Sequence, residues 1–151
     1  MIMTVNEALI KQNFISKILL KKDENELSKG LKVKIMGIRI KLGKVRKEFD
    51  EDVQEAIKGF TPEGFAELAQ KQDKTEEEVK NFEEMNKKIN DEYQAYIIKR
   101  GQEEVSIDAK LTEDEYNELI EVNADNDVEI NGQKLNAADF LEILYALFVE
   151  E

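Results

Sequence analysis

The segment from Leu31 to Phe49 constrains the fold more than any other. Apolar residues fall at Leu31, Ile35, Ile38, Leu42, Val45 and Phe49, at steps of four and three, and the series continues to Val53 and Ala56. That period places them along one face of an α-helix. The same stretch also alternates. Leu31, Val33, Ile35 and Ile38, Ile40, Leu42 interleave with Lys32, Lys34, Arg39 and Lys41 around Gly37, as two paired strands would. The helix is the preferred solution because its seam is longer and runs unbroken into KEFDEDVQEAIKGF. A lone glycine is also a poor two-residue hairpin turn. One long helix over residues 31–58 is expected, carrying Gly37 and Gly43 at ~1 kcal/mol each. Glycines inside a helix let another backbone approach closely, so tight packing is expected there.

Shorter signals organise the rest. Thr4-Val5-Asn6-Glu7 is a capping box that opens a first helix over residues 5–21, with apolar positions at Ile10, Phe14, Ile18 and at Ala8, Ile15, Leu19. Thr61 and Pro62 start a short helix ending at Gln70. Thr75, followed by Glu76, Glu77 and Glu78, caps a long helix that reaches Arg100 and closes at Gly101. Then come a short strand over residues 104–108 and a helix capped by Thr112. Asn131-Gly132 signals a type I′ hairpin between Val128–Ile130 and Gln133–Leu135. Asn136 caps a last helix, residues 137–149, whose apolar residues wrap most of its circumference, so it needs burial on more than one side. The expected fold is mainly α. Residues 1–102 form an antiparallel helical hairpin or three-helix bundle, packed through Phe14, Ile18, Ile35, Leu42, Phe49, Phe82 and Ile89. Residues 103–151 form a small α+β subdomain with a short β-hairpin.

Composition removes most chemistry. The 151 residues include no histidine, no cysteine and no tryptophan, so Ser-His and Cys-His nucleophiles, thiolate redox centres, disulfides and the usual zinc sites are absent. The acidic loop around Asn123, Asp125 and Asp127 fails the EF-hand pattern: from either start, position 6 is Val128 or Ile130 and position 12 is Lys134 or Asn136. No glycine-rich phosphate loop is present. No apolar run is long enough to span a membrane, and Asn6, Glu7 and Lys11 interrupt the stretch where a signal peptide needs its apolar centre. The expectation is an intracellular protein that is not an enzyme and takes no cofactor and no metal.

Charge is what remains. Residues 1–49 hold 12 basic and 5 acidic side chains, net +7, whereas residues 50–151 hold 10 and 29, net −19. The basic run comprises Lys29, Lys32, Lys34, Arg39, Lys41, Lys44, Arg46 and Lys47, with no acid until Glu48. It can be neutralised internally by the glutamates of residues 76–92, or it can meet an acidic partner. No aromatic interleaves it, which disfavours nucleic acid. Lys32, Arg39, Lys44 and Arg46 are therefore candidate partner-binding residues. Leu144, Tyr145 and Phe148 form a second candidate set, since the last helix carries more apolar surface than two short strands can cover.

The order of these parts resembles small proteins encoded in tailed-phage and prophage genomes among the virion morphogenesis genes. The basic LKVKIMGIRIKLGKVRKEFDED segment leads into an acidic helix, a glutamate-rich helix follows, and an EEVSI strand and a closing LEILYALF helix complete the pattern. The resemblance brings no catalytic residue. It implies a structural or accessory protein of the virion (capsid, portal vertex or tail connector region), or else an assembly chaperone. The implied partners are other phage structural proteins, in multiple copies per particle and without a membrane; the implied location is the virion, and the host cytoplasm during assembly. The net −19 of residues 50–151 leaves an acidic nucleic-acid mimic as a further alternative.

Overall fold

The ambiguous segment is one helix. In the computed structural model, which describes residues 1–150, α2 (Lys29–Phe60) is continuous for 32 residues. Leu31, Ile35, Ile38 and Leu42 are buried, as the seam requires. The molecule is mainly helical, with three short antiparallel strand pairs. In chain order the elements are β1 (Ile2–Thr4), α1 (Val5–Ile15), β2 (Lys21–Lys22), β3 (Asn25–Glu26), α2, α3 (Phe65–Gln70), α4 (Glu76–Gly101), β4 (Glu104–Ser106), α5 (Glu113–Asn123), β5 (Val128–Ile130), β6 (Gln133–Leu135) and α6 (Ala137–Phe148).

The chain forms two units, residues 1–46 with 104–151, and residues 47–103. This partition differs from the single boundary expected near residue 102. The reason is β1, which has no local sequence signal: it pairs with β4, Ile2 opposite Ser106 and Thr4 opposite Glu104, and so ties the N-terminus into the C-terminal third. The expected seven-residue seam is divided accordingly, with Phe14, Ile18, Ile35 and Leu42 in the first unit and Phe49, Phe82 and Ile89 in the second. Phe49 is only half-buried.

In the first unit α6 is the central element. Phe140 is fully buried and stacks on Phe14 of α1, centroids 6.3 Å apart; Tyr145 meets Tyr116 of α5 edge-on at 5.1 Å. The β5–β6 hairpin turns through Asn131 and Gly132, both at positive φ as a type I′ turn demands. Capping boxes form at Thr4–Glu7 and Thr112–Glu115. Helix α1 stops at Ile15, well short of residue 21, and Ile10 faces outward. The backbone after Ile15 is captured by other elements before another helical turn can form. Arg39 donates to the Ile15 and Ile18 carbonyls, and Asn123 binds both backbone groups of Leu19. The chain then turns at Asp23 (φ 53°) into the β2–β3 hairpin.

In the second unit Thr75 and Glu78 form the expected capping box on α4. Phe65 of α3 stacks on Phe82 at 5.4 Å, and Arg100 bridges Asp52 and Glu103. Thr61 does not cap the short helix. Its hydroxyl donates back to the Ile57 carbonyl, and α3 begins only after Gly64, whose φ of 84° suits glycine.

Candidate functional site

The basic run of α2 divides in two by what its side chains do. Lys32 pairs with Glu26, and Lys34 with Glu115 of α5 at 2.7 Å. Arg39 caps the carbonyls that end α1. Arg46 lies across α1, donating to Gln12 Oε1 at 2.6 Å, Asn13 Oδ1 at 2.9 Å and the Leu9 carbonyl at 3.2 Å. These four cations are spent within the first unit, on Glu26, Glu115 and α1 in place of the α4 glutamates the sequence suggested. Burial holds the Arg39 pKa below its ordinary value. Burial raises the Glu115 pKa, but the Lys34 ammonium and the Thr112 cap outweigh it and leave the carboxyl below its usual range.

Arg39, Arg46 and Lys32, expected as partner-binding residues, thus make intramolecular contacts in this structure. Replacing Arg39 by Met is expected to cost about 1.5–3 kcal/mol, since two carbonyls lose a charged donor. Arg39→Lys should recover only part of it, because the lysine ammonium is a compact point donor without the fixed planar fork by which the guanidinium reaches both carbonyls. Thermal unfolding of the two variants checks both statements.

The remaining cations, Lys29, Lys41, Lys44 and Lys47, are exposed and make no ion pair among the described residues. Between them lie Val33, Met36 and Ile40, which are 63%, 51% and 70% exposed. Steps of three and four place these three in a second row on α2, turned away from the buried seam. Gly37 and Gly43 flank the row. A Cβ built at either would meet nothing within 4 Å, so the tight packing expected at these glycines is not found within the chain.

The second candidate set is closed inside the first unit. Leu144 is 1% and Phe148 2% exposed. The surplus circumference of α6 is covered by α1 and α5, and Lys11 sits 5.4 Å above the Phe148 ring while donating to the Leu147 carbonyl. Leu144 and Phe148, expected as docking residues, thus lie in the core of the first unit. Tyr145 is half-buried, its hydroxyl donating to Glu113 Oε1 at 3.1 Å. That bond, with the Glu113 charge, raises the Tyr145 pKa. An open groove of about 380 Å³ beside α6 is lined by Met1, Ile2, Ile10, Lys11 and Leu147 and carries charges of both signs, Glu7, Lys11 and Glu150.

No family model, curated protein or solved structure matches the chain.

Among the described residues no group of three or more acidic side chains is arranged to hold a metal ion, and no helix is long and apolar enough to cross a membrane. Asn123, at the start of the acidic loop, is fully buried, its Oδ1 accepting from Leu19 N–H and Asn126 Nδ2. What the site offers is an apolar strip edged with unpaired cations, which suits packing against another molecule. Val33, Met36 and Ile40 were not singled out from sequence as surface residues, although the signal was present. Two of them, Val33 and Ile40, belong to the set that made a helix alternate like a strand.

Proposed function

We propose that this protein is a non-enzymatic structural or accessory component of a tailed-phage virion, at the capsid, portal vertex or tail connector region, and that it works by packing against other proteins. The observation that supports packing is the exposed row of Val33, Met36 and Ile40 on a helix whose other face is already buried. Contiguous exposed apolar surface of this kind marks contact sites. The phage assignment is supported by the order of the basic helix, the glutamate-rich helix and the closing LEILYALF helix. An antiparallel course of α2 and α4 within residues 47–103 supports the helical-hairpin part of this reading. Asp52 meets Arg100 while Ile57 lines a hollow with Ile89 and Tyr93, so numbers rise along α2 as they fall along α4.

The test is quantitative mass spectrometry of purified particles. Peptides of this chain are expected at a fixed stoichiometry to the major capsid protein. Their absence from mature particles overturns the virion role, and their presence in assembly intermediates alone makes the protein a chaperone.

A further inference from the structure

We infer, resting on the packing role proposed above, that the outer row of α2 takes an acidic amphipathic helix of a partner protein, seated along Val33, Met36 and Ile40 beside the unpaired Lys29, Lys41 and Lys44. The row is helix-shaped. It spans two turns, ~10 Å, with three-and-four steps and an arc of roughly 60°, the narrow stripe of a helix–helix seam. Gly37 and Gly43 make the same point independently. Each costs the helix ~1 kcal/mol relative to alanine. Neither accommodates a neighbour within the chain. Their positions on either side of the row let a second helix come nearer than the usual ~8–10 Å between axes.

Charge identifies the occupant. No acidic residue occurs from Leu27 to Lys47, and Lys29, Lys41 and Lys44 border the row without partners among the described residues. A partner helix with carboxylates flanking its apolar stripe would satisfy them. A second copy docking row to row would oppose three lysines with three more, and like charges at close range are costly. Nucleic acid has no use for an aliphatic row, and no aromatic is present to stack on bases. A basic helical face can also settle on anionic lipid, but that mode uses a broad face rich in Trp, Phe and Leu. Here three aliphatic side chains flanked by glycines form the whole face.

The experiment titrates the full chain with a synthetic three-heptad peptide bearing leucine at its seam positions and glutamate elsewhere, beside a twin with lysine for glutamate. Phosphatidylglycerol–phosphatidylcholine vesicles and sedimentation of the chain alone complete the set. The glutamate peptide is expected to bind at least about tenfold tighter than its twin, and more weakly as salt rises. The Val33→Ser/Met36→Ser/Ile40→Ser variant should lose at least about tenfold in affinity. Replacing Lys29, Lys41 and Lys44 by Glu should reverse the preference between peptides. Because these side chains are exposed, the melting temperature is expected to stay near that of the parent. Gly37→Leu, which fills open space, should weaken binding while leaving the fold intact.

Equal affinity for both peptides, no binding of the glutamate peptide, or binding indifferent to the row overturns the acidic-helix partner. Row-dependent binding to vesicles in preference to peptide assigns the face to lipid, and row-dependent dimerisation assigns it to a second copy; either overturns the inference. Particle incorporation separates the two levels. If the serine variant still joins particles, the packing role of this row fails. If it does not, yet the lysine peptide is preferred, only the partner's chemistry was wrong.

Discussion

Ending the chain at Asn136 is expected to unfold the first unit. The deletion removes α6, which supplies Phe140, Leu141, Leu144 and Phe148 to the core. Truncating a single buried leucine or phenylalanine to alanine costs about 2–5 kcal/mol. Four such losses together match or exceed the ~5–15 kcal/mol that holds a domain folded. The polar ties go as well. The Leu111 amide donates to the Phe148 carbonyl at 2.7 Å, the Tyr116 hydroxyl to the Leu141 carbonyl at 2.6 Å and Lys11 to the Leu147 carbonyl at 2.5 Å. Each joins α6 to a different part of the unit, so the remaining elements would lose both their apolar platform and their register. Amide NMR is the measurement: resonances of residues 1–46 and 104–136 should collapse to the narrow dispersion of an unfolded chain. A truncated protein that keeps native dispersion would make α6 an attachment, and Leu144 and Phe148 would return as docking residues.

What could be read from sequence follows from how local each determinant is. The Thr4, Thr75 and Thr112 caps and the Asn131-Gly132 turn each depend on residues within three or four positions, and all four form as expected. The long helix was legible because its seam repeats over many turns. Elements fixed by distant partners were not. β1 is three residues long and pairs about a hundred residues away, with no pattern in Ile2–Thr4 to announce it. The end of α1 is set by Arg39 and Asn123, so its apolar periodicity, which continues to Leu19, overstates its length. The basic run was visible as composition. Its division into four internal and four unpaired cations depends on α1, β3 and α5 lying against one side of α2, which charge counting cannot supply. Phe49 shows the reverse error, a seam position on pattern that the fold leaves half-open.

Asn123→Leu is expected to cost about 2–4 kcal/mol, a large effect for a side chain of the same branching and heavy-atom count. Asn123 is the one fully buried polar residue described, and it serves the backbone rather than a ligand. Its Oδ1 accepts from Leu19 N–H at 2.8 Å, while Nδ2 donates to the Leu19 and Leu119 carbonyls at 3.2 and 3.0 Å. The pair of bonds to Leu19 imitates a strand neighbour and holds the segment between α1 and β2 against α5. Leucine fills the space but leaves the Leu19 amide and carbonyl facing an apolar side chain, and each unsatisfied group costs ~1–3 kcal/mol. Asn126→Ala, which removes only the bonds to the Lys17 carbonyl and Asn123 Oδ1, should cost about 1 kcal/mol or less. Thermal unfolding ranks the two, and hydrogen exchange locates the effect: the Leu19 amide should be protected in the parent and in Asn126→Ala, and should exchange freely in Asn123→Leu before global unfolding. If the leucine variant is as stable as the parent, the turn after α1 is held by the hydrophobic contacts of Ile18 and by Arg39, and the buried asparagine is dispensable.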